Sequence, residues 1–314
     1  MRICLMVEGQ EDVSWEQWRA LASACEQHGV EALFRSDHYL SVEREAARGS
    51  LDALATLSAL AAVTSTLRLG TLVSPVTFRH PSVFAKSVVT ADHVSGGRIE
   101  AGLGAGWHEA EHEAFGFGFP PTGTRMELLE EQVEVVCRQW QEDRFSFAGR
   151  HYRLADVEAL PKPVQRPRPP LILGGQAGPR SARLAARWAD EYNTVYATPE
   201  ECRERRGRIA HACERQGREP IPFSVMTGFV LGADRAEVLD RARRLAARRG
   251  HDADAEEFLA GLPESWVVGT VAEAVERLRE FEEAGVDRVM LQHLLHEDLD
   301  AVALIGRELA PHLA

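Results

Sequence analysis

The run RIEAGLGAGW, residues 98–107, begins as a β-rich segment and ends in alternating glycines and a tryptophan. Similar β-rich runs recur along the 314 residues, and a longer helical pattern follows each of them. This alternation predicts an α/β fold, the closed parallel (β/α)8 or TIM barrel, in a single domain over residues 1–314. The predicted strands are Ile3–Val7, Ala32–Arg35, Leu67–Val73, Arg98–Leu103, Leu171–Leu173, Tyr192–Val195, Phe223–Leu231 and Arg288–Gln292.

The helical patterns between the strands carry ordinary start and stop signals. Capping sequences of the type Ser/Thr-x-x-Glu/Gln place helix starts just after Ser14, Thr198 and Thr270. Gly29 and Gly285 stand where a left-handed residue would end a helix. The predicted helices are Trp15–His28, Leu51–Val63, Val83–His93, Arg125–Trp140, Arg180–Trp188, Glu200–Gln216, Ala236–Arg249, Ala272–Ala284 and a last one over about Leu299–Leu309.

Two stretches interrupt the alternation, at about residues 143–170 and 250–269. In the first, Phe145–Phe147 and His151–Arg153 alternate in polarity on either side of Ala148-Gly149, which predicts a small hairpin. Neither stretch is long enough to bury a core of its own. We therefore interpret both as insertions within the one barrel domain.

Composition limits the partners that the protein can have. Lys and Arg number 36 against 48 Asp and Glu, and the formal net charge of -12 disfavours binding to nucleic acid. The longest apolar runs, such as Leu57 to Val63, are far shorter than the ~20 residues that cross a bilayer, so we expect no membrane association. The five cysteines form no C-x-x-C pair, which is typical of reduced thiols in a cytoplasmic protein.

In a TIM barrel, ligands bind where the strands end and the loops that lead to the helices converge. The residues just after the predicted strands are therefore the candidates for a functional site, and several of them are polar, small or aromatic. They are Glu8, Gly9, Asp37, His38, Val73, Ser74, Gly104, Gly106, Trp107, Gly174, Gly175, Asn193, Tyr196, Thr227, Gln292 and His293.

Several of these segments, taken in order, resemble the luciferase-like monooxygenase superfamily. The resemblance covers about residues 2–293 and is closest to the coenzyme F420-dependent oxidoreductases. It implies a bacterial-luciferase-like barrel that transfers a hydride between the deazaflavin and a C=C, C=N or C=O bond of a small organic substrate. The segments that carry it are Ser36–His38, Leu69–Thr71 through Thr77–Arg79, Gly102–Trp107, Leu173–Gly175, and Gly269-Thr270 with Ala284–Arg288.

The resemblance gives His38 the catalytic role, because the matching histidine of F420-dependent dehydrogenases lies beside the reactive deazaflavin carbon. An imidazole is also the side chain best able to exchange a proton near neutral pH. An alternative from the residues alone is that Ser36–His38 only caps the segment that follows it.

The resemblance also implies the cofactor site. Leu72-Val73 matches the position of a non-prolyl cis peptide behind the ring system. The turn at 174–176 precedes a helix whose backbone N–H groups suit a phosphate, with Arg180 and Arg183 as auxiliary cations. An ordinary loop between strand and helix is the alternative for this turn. The residues implied to bind the cofactor are Asp37, Leu72, Val73, Ser74, Gly104, Gly106, Trp107, Gly174, Gly175 and Gln176.

The residues that shape a substrate pocket follow no readable pattern, and we predict substrate contacts at His108, Tyr196 and His293. The chain departs from the F420-dependent sugar-phosphate dehydrogenases at two positions. Val42 replaces an aromatic residue, and Trp107 replaces a glutamate. The substrate of those enzymes is therefore not carried over.

Alternatives to F420 chemistry remain open. The same fold can serve a monooxygenase that uses reduced FMN, or a flavin-binding homologue without catalysis. His108-Glu109-Ala110-Glu111-His112 fits the H-E-x-x-H pattern of zinc hydrolases, but glycines and prolines follow it where an apolar helical face is needed. We therefore predict no metal. By analogy with the superfamily, we expect a homodimer.

Overall fold

The computed structural model describes residues 1–42, 48–252 and 254–313. Its centre is a closed barrel of parallel strands paired in the order β1-β2-β3-β5-β8-β9-β10-β12 and back to β1. The predicted (β/α)8 barrel is confirmed. In chain order the strands are β1 (Arg2–Val7), β2 (Ala32–Arg35), β3 (Arg68–Thr71), β4 (Ser74–Pro75), β5 (Ile99–Gly104), β6 (Phe145–Ala148), β7 (Arg153–Val157), β8 (Leu171–Gly174), β9 (Glu191–Val195), β10 (Phe223–Gly232), β11 (Val267–Thr270) and β12 (Arg288–Gln292).

Helices surround the barrel. The predicted helices are present to within a few residues at most of their ends, and the further helices Glu109–Phe115 and Ala255–Ala260 were not predicted. Of the helices in the described ranges, none combines the length and the apolar character that a membrane span requires. They are α1 (Trp15–His28), α2 (Ala53–Val63), α3 (Pro81–Ser95), α4 (Glu109–Phe115), α5 (Thr122–Gln141), α6 (Pro179–Trp188), α7 (Pro199–Glu214), α8 (Arg235–Arg248), α9 (Ala255–Ala260), α10 (Val271–Glu283) and α11 (Leu299–Leu304).

Local sequence signals set the ends of several helices. The Ser14 side chain accepts the Gln17 N–H at 3.2 Å, and the Gln17 side chain accepts the Ser14 N–H at 2.8 Å. This capping box starts α1 at the predicted residue, and Gly29, with φ 79°, ends it. The last predicted helix differs, because it is α-helical only to Leu304 and continues as a π-helix over Ile305–Leu309.

The first predicted insertion contains the antiparallel hairpin of β6 and β7. The second contains α9 and β11, except that residue 253 lies outside the described residues. Strand β11 pairs with the carboxyl-terminal part of β10, and Trp266, just before β11, lies over Gly228. A Cβ at Gly228 would lie 2.2 Å from the Trp266 ring, so only glycine allows this contact.

The two ends of the barrel differ in chemistry. At the amino ends of the strands, Arg288 is buried and donates to Glu100 at 2.7 Å and to Glu191 at 3.2 Å. These buried charges close one end of the barrel. The cysteines Cys4, Cys25, Cys137, Cys202 and Cys213 are buried and make no disulfide, in agreement with reduced thiols. The carboxyl ends of the strands carry the polar and aromatic residues of the candidate site.

Candidate active site

His38 lies just after β2, at the carboxyl end of the barrel, and its imidazole is held by a carboxylate. The Nδ1 atom of His38 is 2.8 Å from Oε2 of Glu111, a fully buried residue in α4. The other oxygen, Oε1, accepts the backbone N–H groups of Tyr39 and Leu40, the latter at 3.0 Å. One carboxylate therefore fixes both the ring of His38 and the loop that carries it.

The pair is polarised by its surroundings. Burial alone would lower the pKa of His38, but the hydrogen bond and the negative charge of Glu111 outweigh burial and raise it above its usual value. Burial alone would raise the pKa of Glu111, but His38 and the N–H groups of Tyr39 and Leu40 hold it below its usual range. Both shifts favour a charged pair with a proton on the imidazole.

Trp107 and His108 stand next to this pair. Their rings stack with centroids 5.0 Å apart and an interplanar angle of 16°. The Trp107 ring also meets His38 edge-on at 5.5 Å, and Trp107 is 61% exposed. An exposed aromatic ring beside an imidazole suits the binding of a flat ligand.

Val73 and the glycines of the neighbouring strands form a close-packed surface beside the site. The Leu72-Val73 peptide is cis, as the resemblance implies. A Cβ at Gly104 would lie 2.7 Å from Cγ2 of Val73, and one at Gly174 would lie 3.0 Å from it. We call Val73, Gly104 and Gly174 the glycine cradle. Its glycines are required because the Val73 side chain occupies the space that other side chains would fill.

This packing gives a stability prediction for the variant Gly104→Ala. We expect a loss of about 1–3 kcal/mol in the free energy of unfolding, because the new methyl group overpacks against Val73. The double variant with Val73→Ala should recover most of the loss, since the Cβ of residue 73, at 3.9 Å, and the Gly174 carbonyl oxygen, at 4.0 Å, are at ordinary contact distances. Urea unfolding measures both changes.

A matched control for this prediction is Gly123→Ala in α5. An added Cβ there meets no atom within 4 Å, so the substitution should be neutral or slightly stabilising. Equal stability of Gly104→Ala and wild type would contradict the packing described for the glycine cradle.

Asp37 and Ser74, both predicted to bind the cofactor, are directed at each other. The Ser74 hydroxyl donates to Asp37 at 2.6 Å, and Arg79 donates to both oxygens of the same carboxylate, at 3.1 Å to Oδ1. Arg79 also donates to Tyr39 at 2.9 Å. Because Asp37 is buried in these contacts, it can act on a ligand only through the loop that it holds.

The glycine turn before α6 is partly used by the barrel itself. The Gly175 N–H donates to the Asn193 carbonyl at 3.0 Å, and the Ala177 N–H donates to the Tyr192 hydroxyl at 2.8 Å. Gln176 is exposed between them. Helix α6 begins at a glycine N-cap without a side-chain hydrogen bond, which leaves the helix N-terminus to solvent or an anion.

The predicted auxiliary cation Arg180 is engaged elsewhere. Its guanidinium makes two hydrogen bonds of 2.7 Å to Glu130 of α5. A bidentate pair of this kind fixes the side chain against the neighbouring helix. Arg183 lies in the same groove between α5 and α6, which is lined by Glu130, Glu134 and Arg187. Arg180 is thus directed toward α5 rather than toward the turn, and Arg183 lines the same groove.

Tyr196, a predicted substrate contact, is exposed after β9 and takes part in a chain of hydrogen bonds between strand ends. Its hydroxyl donates to the side chain of Gln292, and Gln292 donates to Glu8 at 2.5 Å. The second carboxylate oxygen of Glu8 accepts from Gln10 at 2.8 Å. This chain joins the ends of β9, β12 and β1 across the mouth of the barrel.

His293 does not reach this mouth, contrary to the prediction that it contacts substrate. It is buried, its Nε2 lies 3.0 Å from the Asp298 carbonyl, and its ring stacks on Phe229 at 5.6 Å. Burial lowers its pKa to about 4. Side chains alternate along a strand, so the residue after Gln292 turns to the outer side of the barrel wall.

The H-E-x-x-H pattern does not form the arrangement of a zinc hydrolase. Helix α4 begins at Glu109, and His108 is its N-cap residue. His112 directs Nδ1 at the His108 carbonyl, 2.7 Å away, and Nε2 at the Thr77 hydroxyl, 2.6 Å away. Both ring nitrogens of His112 are thus used within the protein, and the two histidines do not converge on one point.

Glu111 is the residue of the candidate site that the sequence did not reveal. It appeared only as an unassigned position inside the H-E-x-x-H pattern, among other glutamates of the same short segment. Its spacing was a signal, because a residue three positions after His108 lies on the same face of a helix as His108. Nothing in the sequence tied that face to His38, which is 73 residues away along the chain.

The structure is that of a TIM-barrel protein with a candidate site at the carboxyl ends of the strands, around a carboxylate-held histidine and a non-prolyl cis peptide. The family model of luciferase-like monooxygenases matches residues 3–288. The chain belongs to this family, as the sequence predicted.

Curated relatives in the family use different cofactors. The chain is 34% identical over 177 residues to the F420-dependent glucose-6-phosphate dehydrogenase of Nakamurella multipartita, covering 56% of this chain and 50% of the relative. It is 36% identical over 137 residues to the FMNH(2)-dependent dimethylsulfone monooxygenase of Pseudomonas putida, covering 43% and 37%. An uncharacterized Mycobacterium tuberculosis protein is 32% identical over 191 residues, covering 56% of this chain and 66% of the relative. The chain thus spans less than two thirds of the length of each of these three relatives.

Solved structures share the fold over the whole chain. The monooxygenase RslO1 from Streptomyces bottropensis superposes with a TM-score of 0.83 at 23% identity, covering 100% of both chains. The coenzyme F420-dependent tetrahydromethanopterin reductase from Methanopyrus kandleri gives 0.81 at 19% identity, also covering 100% of both chains. At these identities the likeness shows the shared fold alone.

Proposed function

We propose that the protein is an F420-dependent oxidoreductase that transfers a hydride between the deazaflavin and a C=C, C=N or C=O bond of a small organic substrate. The observation that carries the proposal is the His38 imidazole, held by buried Glu111 at the carboxyl ends of the barrel strands and beside an open aromatic surface. The Nakamurella relative, named for F420 dependence, supports the choice of cofactor.

The residues present fit a flat, phosphate-bearing cofactor. The glycine cradle offers a surface without protruding side chains at residues 104 and 174, and Val73 would support one face of the ring. Gln176 and the uncapped N-terminus of α6 would hold the phosphate, and Gly175, whose N–H is bound to the Asn193 carbonyl, would shape the turn. When bound, the deazaflavin supplies the hydride chemistry, and the protein supplies position and charge.

His38 is the group that handles the proton in this proposal. Its Nδ1 is occupied by Glu111, whereas Nε2 has no hydrogen-bond partner among the residues that the structure describes. Hydride transfer to a carbonyl or imine leaves a negative charge that needs a proton, and a protonated imidazole provides one. The charge on Glu111 stabilises the imidazolium and fixes which nitrogen faces the ligand.

The exposed ring of Trp107 and the hydroxyl of Tyr196 would border the substrate, with His108 stacked behind Trp107. The chain of hydrogen bonds through Gln292 to Glu8 would orient a polar substrate atom at the opposite side of the mouth. A cytoplasmic location and a homodimer remain predictions from the sequence and the resemblance.

The second candidate is a monooxygenase that uses reduced FMN on the same barrel. The Pseudomonas putida relative, named for FMNH(2) dependence, favours it. The glycine cradle and the α6 N-terminus suit either ring system, because both present a flat ring and a phosphate. The two candidates differ in the cofactor that the protein retains and in whether oxygen is consumed.

Intrinsic tryptophan fluorescence distinguishes the candidates. We expect F420 to quench the purified protein with a Kd of about 1 μM or lower, the range of a specific small-ligand site. FMN should quench weakly and should not co-elute with the protein. Most of the quenching should disappear in Trp107→Phe, because Trp107 borders the candidate site.

The matched control for this titration is Trp188→Phe. Trp188 ends α6, at the opposite end of the barrel from the turn, so the quenching should persist in this variant. Tight binding of FMN without binding of F420 would replace hydride transfer by oxygen chemistry as the proposed function.

A further inference from the structure

Three possible metal ligands meet beside the aromatic surface, from two separate elements. One ligand atom each from His38, His108 and Glu111 lies within 4.8 Å of the other two. Oε2 of Glu111 is 2.8 Å from Nδ1 of His38 and 3.9 Å from Nδ1 of His108. Two imidazoles and one carboxylate are a ligand set that zinc and other divalent transition metals bind in proteins.

The three side chains are already held in place. Glu111 uses Oε1 for the N–H groups of Tyr39 and Leu40, which leaves Oε2 directed at the two imidazoles. The His108 ring is fixed by its stacking on Trp107. His38 is 14% exposed and Glu111 is fully buried, so little side-chain freedom would be lost when an ion binds.

We propose that His38, His108 and Glu111 form a binding site for one divalent transition-metal ion of the zinc class. Ligand atoms about 2.0–2.2 Å from zinc in a tetrahedron are separated by about 3.3–3.6 Å. The 2.8 Å pair must therefore open, and the 3.9 Å pair must close, each by less than about 1 Å. Three protein ligands leave a fourth position for water or a substrate atom.

The proposed site differs from the H-E-x-x-H pattern, although both use His108. The pattern would pair His108 with His112, but both nitrogens of His112 are directed at Thr77 and at the His108 carbonyl. The proposed site instead takes His38 from the loop after β2 and Glu111 from the interior of the pattern. It is an alternative to the prediction from the sequence that no metal is bound.

Ion binding at this site would compete with catalysis, and this consequence alone rests on the proposed function. The ion would occupy Nδ1 of His38 and break its hydrogen bond to Glu111. The orientation of the imidazole would change, and the charge that polarises it would be shared with the metal. Stoichiometric zinc is therefore expected to inhibit turnover.

Metal binding can be measured on the full chain without cofactor or substrate. Metal-free protein is titrated with Co²⁺, followed by its visible absorption, and with Zn²⁺ in competition with a chromophoric chelator. We expect one ion per chain and no competition from Mg²⁺, which prefers an all-oxygen octahedron. The absence of Co²⁺ and Zn²⁺ binding at micromolar concentrations would overturn the proposal, whatever the outcome of the cofactor titrations.

Variants identify the ligands. His108→Ala and His38→Asn should each weaken Zn²⁺ binding by about tenfold or more, because each removes a direct ligand. His112→Gln should bind Zn²⁺ as the wild type does. Loss of binding in His112→Gln with binding retained in His108→Ala or His38→Asn would overturn the assignment, and circular dichroism of each variant verifies its fold.

Discussion

Replacing His38 by asparagine is expected to lower kcat by about 10²–10⁴-fold, the usual contribution of a positioned acid or base. Asparagine can keep a hydrogen bond to Glu111, but its amide cannot deliver a proton. The affinity for the deazaflavin should change little, since the glycine cradle and the α6 N-terminus are untouched. Single-turnover spectra of the cofactor, with a substrate selected from C=C, C=N and C=O compounds, measure the chemical step, and the fluorescence titration measures binding.

A second variant, Glu111→Gln, distinguishes the effect of the Glu111 charge on His38 from the role of Glu111 in holding the loop after β2. The glutamine carbonyl can still accept the N–H groups of Tyr39 and Leu40, but its amide would face Nδ1 of His38. The imidazole would then have to accept at Nδ1, so its proton would move to the other nitrogen. We expect kcat to fall about tenfold or more while the fold is kept.

The alternative role of His38 makes the opposite prediction. If Ser36–His38 only caps the segment after β2, His38→Asn should reduce stability and cofactor affinity together and leave the single-turnover rate nearly unchanged. An unaltered rate in a correctly folded His38→Asn protein would therefore remove His38 from the mechanism.

The sequence was sufficient for the barrel because its signals are local. Two strands were predicted with the bounds that the structure has, Ala32–Arg35 and Arg288–Gln292. Each of them lies between a helix stop signal and polar loop residues. The hairpin after Phe145 was recognised from its alternation of polarity. Each of these patterns is complete within about ten residues, so the rest of the chain was not needed to read them.

The site was only partly predictable, because a strand end fixes the position of a residue but not the direction of its side chain. Tyr196 and His293 both follow strands, yet Tyr196 lies at the mouth and His293 packs on Phe229 behind the wall. The helix-end residue Arg180 turns toward α5 for a similar reason, because Glu130 lies within its reach. Such orientations depend on tertiary neighbours that are far apart in the sequence.

The RIEAGLGAGW run also contains a feature that its pattern did not indicate. Glu100 lies within β5, in the barrel interior, and pairs with Arg288, which is 188 residues away. Burial alone would raise the pKa of Glu100, but Arg288 holds it below its usual range. Burial and the nearby charge of Glu100 raise the pKa of Glu191 in spite of Arg288. Arg288 is therefore shared by two buried carboxylates, while the partly exposed Arg68 also donates to Glu100.

Replacing Arg288 by methionine is expected to reduce the free energy of unfolding by about 3–5 kcal/mol, the usual cost of leaving buried charges without their partner. Methionine keeps apolar contact with Phe34, over which the guanidinium now lies at 4.8 Å, but gives Glu100 and Glu191 no positive charge. Urea unfolding provides the measurement. The control Arg208→Ala removes an exposed pair with Glu204 and should cost less than about 0.5 kcal/mol.

The pH dependence of the loss in unfolding free energy caused by Arg288→Met tests whether charge is its cause. In the wild type, the lowered pKa of Glu100 means that its ion pair stabilises the fold above the unfolded pKa, about 4.3, and that this stabilisation is lost as the pH falls through the folded value. In Arg288→Met, the loss of this arginine should raise the pKa of Glu191 and of Glu100, although Glu100 keeps its contact with the partly exposed Arg68. These carboxyls would then take up protons in the folded state, so the difference in stability between Arg288→Met and wild type should shrink as the pH falls from 7 toward 4.

The triple variant, Arg288→Met with Glu100→Gln and Glu191→Gln, should recover part of the stability at neutral pH. A loss that stays constant across this range, with no recovery in the triple variant, would mean that Arg288 stabilises the barrel by packing rather than by charge.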